Sequence, residues 1–330
     1  MTTSTSGPHD IQPTDIEPLI HPELRGIFAE LPHQPTLYDV EGIRTLRSML
    51  TDSTAALNPP SDLPVTVTDE HIGVPAPERR IRLRIYRPQD DTSTRPGLFW
   101  IHGGGLSTGL PEQDENLCIR FVAESGLTVV SVDYRLVPEN PYPAGLDDCE
   151  AGLEWMFDHA DQLHVDPHRI GAGGTSAGGG LVVALALRVR DRGRRSLAFQ
   201  IPLYPMLDAS NTTLSSRQIT DDRTWDREKN ISSWDMYLAG GAADEDYQAV
   251  PARATDLSGL PPTYTSIGEL EVFRDETVQF VSRLAQAGVP VEFHLYPGCF
   301  HACEMLFPQT RIAQRILADH VEAATRFARP

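Results

Sequence analysis

Ser176 stands in Gly174-Thr175-Ser176-Ala177-Gly178, with a glycine two residues before it and another two residues after. A short stretch, Arg169-Ile170-Gly171-Ala172-Gly173, leads in, and a run of small and apolar residues from Gly179 to Leu187 leads away. The first reads as a buried strand and the second as a buried helix, so the backbone must reverse within a few residues. Such a turn crowds the neighbours of its apex unless they lack side chains. It also lifts the serine hydroxyl to a helix N-terminus, where unpaired amides favour developing negative charge. This is the pattern of a nucleophile elbow. Ordinary glycine-rich turns share the spelling, so its companions decide the matter.

A serine hydroxyl is a poor nucleophile at neutral pH and needs a base, an acid to hold that base, and donors for an oxyanion. His301, in Tyr296-Pro297-Gly298-Cys299-Phe300-His301, lies just past the last expected strand, in a loop able to reach back over the strand ends. Its rivals are His294, which falls inside a strand, and His102, which opens a glycine run. His301 is the preferred base. The acid belongs in the loop Gly268 to Glu276, which offers Glu269, Glu271, Asp275 and Glu276. The order serine, acid, histidine suits a sheet of this kind. Asp275 and Glu276 open a helix and read as dipole partners or caps, which leaves Glu269 and Glu271. In His102-Gly103-Gly104-Gly105 the glycines let backbone N–H groups face a ligand, and an amide there together with that of Ala177 would form an oxyanion hole.

The elements that must position these groups alternate along the chain. Residues 1–18, rich in Ser, Thr and Pro, read as a loose arm. Two amphipathic helices follow, one over Pro22 to Glu30 and one after Asp39 carrying Val40, Ile43, Arg47 and Leu50; they either pack on the core or cover a pocket. Val65 to Glu70 and Arg80 to Tyr86 alternate polar and apolar residues, as half-exposed antiparallel strands do. Gly97 to Ile101 and Leu127 to Val132 are nearly continuous apolar runs separated by a helix over Glu112 to Glu124. That is the look of βαβ units in a parallel sheet. A helix at Ala144 to His159 and strands at Leu197 to Ile201, Thr263 to Ile267 and Val291 to Tyr296 continue the rhythm, with helices at Arg274 to Ala287 and Thr310 to Phe327. Asp208 to Val250 breaks it and reads as an insertion, whose short helix carries Trp234, Tyr237 and Leu238 on one face. That face either lines a cleft or seats the helix on the domain.

Composition narrows the classes. The 330 residues are 40% apolar, and 28 basic against 46 acidic residues give a formal charge of −18, which repels nucleic acids and anionic membrane surfaces. The start, Met1 to Asp10, lacks a basic, apolar leader and no run of eighteen apolar residues occurs, so a cytoplasmic protein without integral membrane association is expected. Four cysteines do not make a disulfide framework. Cys299 and Cys303 bracket His301 without the paired spacing of zinc sites, so reduced thiols beside a pocket are expected and no metal or other cofactor is implied.

Together, His102 to Gly105, Val132-Asp133-Tyr134-Arg135-Leu136-Val137-Pro138-Glu139, Asp166-Pro167 through Gly180, and Arg274-Asp275-Glu276 resemble the hormone-sensitive lipase family of α/β-hydrolase carboxylesterases, from about residue 80 to the C-terminus. The resemblance implies an α/β-hydrolase fold: a mostly parallel, eight-stranded central sheet flanked by helices under a helical cap. The cap would comprise residues 1–55 and an insertion at about 208–250, and residues 56–330 would form the catalytic domain. Many members carry aspartate where this chain has Thr175, which places it with a GTSAG subgroup. The family's acid falls on Glu271 when Arg274-Asp275-Glu276 is aligned. The implied roles are Ser176, Glu271 and His301 as catalytic triad, Gly104, Gly105 and Ala177 as oxyanion hole, and His102 and Gly103 as motif support. The implied substrate is a small, short-chain acyl ester cleaved through an acyl-enzyme. Amides, carbamates or lactones are the alternative substrates, and a non-catalytic ligand receptor is the alternative class. The oligomeric state stays open, a homodimer included.

Overall fold

Eight stretches pair into one sheet: β1 (Val65–Pro75), β2 (Glu78–Pro88), β3 (Arg95–Ile101), β4 (Thr128–Asp133), β5 (Val165–Thr175), β6 (Gln200–Leu203), β7 (Thr263–Leu270) and β8 (Val291–Phe300). Their order is β1-β2-β4-β3-β5-β6-β7-β8. The computed structural model describes residues 13–34, 39–57, 62–75 and 78–329. Only the β1–β2 and β2–β4 pairings are antiparallel; the remaining strands run parallel. The split follows the residue patterns. Every residue of β3 is buried, as a strand covered on both faces requires, whereas β2, beside the edge strand β1, buries Ile81, Leu83 and Ile85 in alternation.

The helices are α1 (Pro22–Ala29), α2 (Val40–Leu57), α3 (Glu115–Ser125), α4 (Ala144–Asp158), α5 (Ala160–Leu163), α6 (Ala177–Arg192), α7 (Leu214–Gln218), α8 (Arg227–Leu238), α9 (Arg274–Gln286), α10 (Cys303–Leu306) and α11 (Arg311–Ala328). The small and apolar run that opens α6 lets the helix lie against the middle of the sheet, where its residues from Ala177 to Val189 are all buried. At the other extreme, α11 is amphipathic and starts at Thr310, whose side chain accepts from the Ala313 N–H. Among the described residues, no helix is long and apolar enough to cross a membrane.

Several boundaries differ from those expected. β5 runs on to Thr175, so the strand ends directly against Ser176. β6 starts at Gln200, where the chain first pairs with β5 on one side and β7 on the other; Leu197 to Phe199 only lead into it. The helix expected from Glu112 is a 3-10 turn at Pro111–Asp114 followed by α3. Of the arm, residues 1–12 lie outside the described residues. The remainder is anchored: Ile16 is fully buried in the main core and Thr14 N–H donates to Gln218 O at 3.0 Å. In the insertion, Trp234 and Tyr237 of α8 are buried against the domain, which seats the helix.

Candidate active site

Ser176 occupies the one-residue gap between β5 and α6, with φ 54° and ψ −118°. Its neighbours explain why it can hold this unfavourable conformation. The Ser176 N–H donates to Leu203 O at 2.9 Å, and its carbonyl accepts from Gly180 N and Met206 N, both at 3.0 Å. The flanking glycines are required by close approach: a Cβ at Gly178 would lie 2.1 Å from Ile101 O and one at Gly174 would lie 2.4 Å from the same atom. The elbow is therefore pressed onto the end of β3, from which the glycine loop departs.

That loop has the geometry of a donor nest. Gly104 and Gly105 have φ of +110° and +60°, and the Gly104 carbonyl turns inward to accept from Thr108 N at 2.8 Å and Thr108 Oγ1 at 2.9 Å. Among the described residues no acceptor takes the N–H of Gly104 or Gly105. Ala177 opens α6, so its N–H has no intrahelical acceptor. His102 does not face the cavity. It is fully buried, stacks on Tyr134 at 4.3 Å, and its Nδ1 lies 2.8 Å from Gly103 O; burial pushes its pKa down, which keeps the ring neutral.

Glu271 follows β7 directly and is buried, and its Oε2 lies 2.8 Å from His301 Nδ1. The imidazole is boxed by aromatic rings, edge-on to Tyr204 at 5.2 Å and to Phe273 at 5.5 Å, with Trp225 at 6.1 Å. The competing carboxylates are spent elsewhere. Glu269 accepts from Gly298 N at 2.8 Å. Asp275 accepts from Ser215 N at 2.8 Å and pairs with Arg274, while Glu276 accepts from Leu207 N at 2.7 Å and Asp208 N at 3.2 Å. The last two were expected to serve their own helix; instead they fasten the start of the insertion, because α9 begins beside it. His294 Nδ1 meets the Tyr296 hydroxyl at 3.1 Å, in the sheet. Cys299 and Cys303 are free and buried, and the neighbouring Cys299 together with burial holds the Cys303 thiol well above its ordinary pKa.

Ser176, His301 and the glycines 103 to 105 line one cavity of about 370 Å³. Its other walls include residues that sequence patterns did not single out. Trp225 belongs to the insertion but not to the aromatic face of α8, and no periodicity marks it. It lies so close to the glycine loop that a Cβ at Gly105 would come within 2.1 Å of its ring. Two buried carboxyls also border the cavity: burial pushes Asp114 up to about 6, and pushes Glu304, which lies beside the Tyr204 hydroxyl, up to about 7. Leu50 of α2 and Gln34 reach the cavity as well, whereas Leu24 and Phe28 of α1 go into the core, Phe28 tilted against Phe300 at 4.9 Å.

The comparisons agree with this architecture. Residues 98–305 match a family model described as alpha/beta hydrolase fold. The chain is 32% identical to Esterase LipI of Mycobacterium tuberculosis over 85% of its own length and 86% of that protein, and 32% identical to Carboxylesterase NlhH of the same organism, over 88% and 90%. A solved structure described as a bacterial heroin esterase superposes with a TM-score of 0.89 at 35% identity, covering 95% of this chain and 99% of that one. The protein thus belongs to the hormone-sensitive lipase family of α/β-hydrolases and is a carboxylic ester hydrolase.

Proposed function

We propose that the protein hydrolyses small, short-chain acyl esters through an acyl-enzyme on Ser176. His301 takes the serine proton as the hydroxyl attacks the ester carbonyl and returns it to the departing alcohol. A water then attacks the acyl-enzyme with the same imidazole as base, releasing the acid and restoring the serine. Glu271 holds the imidazole tautomer and offsets the charge that forms on it. Gly104, Gly105 and Ala177 supply N–H groups to the oxyanion, a type of contact whose loss costs roughly 10²- to 10³-fold in turnover. The observation that carries the reading is the 2.8 Å contact between Glu271 Oε2 and His301 Nδ1 beside a cavity that Ser176 and the glycine loop share.

The short-chain preference is supported by a relative named ethyl acetate hydrolase, of Pseudomonas putida, 29% identical over 73% of this chain and 74% of that protein. The helix α2 and the insertion act as a cap, with Leu50 and Trp225 over the cavity. A series of p-nitrophenyl esters from acetate to laurate tests the proposal: kcat/KM is expected to peak at acetate to butyrate, and Ser176→Ala to abolish it. A maximum at long chains would overturn the substrate assignment, and an unaffected Ser176→Ala would overturn the mechanism.

A further inference from the structure

Asp114 is a buried acid on the cavity wall that the acyl-transfer cycle leaves unused. It ends the 3-10 turn Pro111–Asp114 and directly precedes α3, where an acid would ordinarily cap its own helix, yet its side chain makes no cap bond. Instead the carboxylate turns inward, and a single oxygen, Oδ2, accepts from Trp100 Nε1 at 2.8 Å and from Thr175 Oγ1 at 2.9 Å. Trp100 lies on β3 two residues before His102, and Thr175 is the residue before Ser176.

The two strands that end here are neighbours. Their parallel ladder pairs Trp100 with Gly173 and Ile101 with Gly174, and ends there. Beyond that point the elbow and the glycine loop leave the sheet. The Asp114 bridge stands at this place of departure. The glycine loop rests on the same side chain that Asp114 holds: a Cβ at Gly103 would lie 2.9 Å from Thr175 Oγ1 and 3.4 Å from Ser176 Cβ. A rotation of the threonine would therefore be felt both by the nucleophile and by the loop meant to receive the oxyanion.

We infer that Asp114 is a positioning residue for ester hydrolysis: by gathering the Thr175 hydroxyl and the Trp100 indole on one oxygen, it sets the spacing between Ser176 and the amides of the glycine loop. This rests on the acyl-enzyme reading of Ser176. The requirement is steep, because a misplacement of about 1 Å in such a site costs on the order of 10²-fold in rate. The geometry also says what kind of group is needed. One sp² oxygen with two lone pairs serves both donors, so an amide oxygen can do the same work. A negative charge is not required, and beside a forming oxyanion it would be unhelpful.

The test measures kcat and KM separately on p-nitrophenyl acetate, at a temperature well below the melting point of each variant. Asp114→Leu and Thr175→Val each break the bridge and are expected to lower kcat about 30- to 100-fold with KM within about threefold. Asp114→Asn and Thr175→Ser keep an acceptor and a hydroxyl and are expected to recover at least about tenfold of that loss. A Thr175→Val enzyme within threefold of the wild-type kcat would overturn the inference. So would an Asp114→Asn enzyme as impaired as Asp114→Leu, because charge and not bridging would then be the cause. If Asp114→Leu does not fold, the Thr175 pair decides alone. Labelling of the wild-type protein by a serine-directed phosphonate keeps the two claims apart: no adduct on Ser176 ends the acyl-enzyme reading, whereas an adduct together with an unaffected Thr175→Val ends only the role of Asp114.

Discussion

The floor and the roof of the cavity are built by different means. The floor consists of strand ends: β3 runs into the glycine loop, β5 into Ser176, β7 into Glu271 and β8 into His301. Backbone ladders and buried hydrogen bonds hold each of these residues, so their mutual positions follow from the register of the sheet. The roof, made by Gln34, Leu50 and the segment from Arg223 to Lys229, is fastened largely by charged side chains. Arg223 pairs with Asp221 at 2.7 Å and with Glu17 at 3.1 Å, Lys229 pairs with Asp226 at 2.7 Å, and Arg47 of α2 donates to Ser107 O at 2.7 Å. On the proposed reading the reacting geometry belongs to the sheet and the choice of substrate to its cover, which meet where Trp225 touches His301 and Gly105.

The sharpest way to break this division is to damage the floor without touching its fold. Glu271→Gln keeps the side-chain shape but can no longer favour the imidazole tautomer required for catalysis, and turnover is expected to fall by about 10⁴, as when a triad carboxylate becomes an amide. Asp275→Asn, on the same loop but turned toward Ser215, is expected to cost less than about tenfold. Steady-state kinetics on the short-chain ester decide between them, and the reverse ranking would reassign the acid.

Changes in the roof should act on selection. Trp225→Ala removes the ring that overhangs Gly105 and His301. It is expected to move the preferred acyl length upward by at least two carbons while lowering kcat on the acetate ester by less than about tenfold. Profiles of kcat/KM across the p-nitrophenyl series measure both quantities. A collapse of kcat on every ester would show that the cover and the reacting groups are one unit.

The smallest expected effect concerns stability and not rate. Glu304, close to Glu271, Tyr204 and His301, has a folded-state pKa raised by burial to about 7, above the ordinary glutamate value of 4.5. The folded protein therefore keeps this proton longer than the unfolded chain does. The stabilisation is complete below pH 4.5 and is lost as the pH rises through 7. Glu304→Gln, permanently neutral, should match the wild-type melting temperature at pH 4 and exceed it by about 3 °C at pH 8.5. Thermal melts at the two values check this, and a gap independent of pH would contradict it.

How much of this was legible in the sequence divides along the same line. The elbow, the glycine run and His301 could be read because each is a local pattern whose spacing is imposed by one turn. The acid was narrowed to Glu269 and Glu271 by position and assigned by resemblance. In the folded chain Glu269 turns to Gly298 N while Glu271 faces the imidazole, which supports the proposed assignment. Asp114 was hidden inside an expected helix, and its partner Thr175 lies 61 residues away, a separation that carries no periodic signal. The insertion was visible as a break in the alternation. Its conspicuous aromatic face, with Trp234 and Tyr237, seats α8 on the domain, while the residue over the cavity, Trp225, stands outside any helix. Ile16 carries no signal in the sequence, because a scattered apolar residue in a polar arm looks unremarkable until its pocket exists.

The measurement closest to the centre of this account is stoichiometric inactivation by a serine-directed organophosphonate, followed by peptide mapping of the adduct in the wild-type protein and in His301→Ala. The account predicts one adduct per chain, located on Ser176, formed at least about 10²-fold more slowly when the imidazole is removed. An adduct on any other residue, or labelling of Ser176 at an unchanged rate without His301, would contradict it.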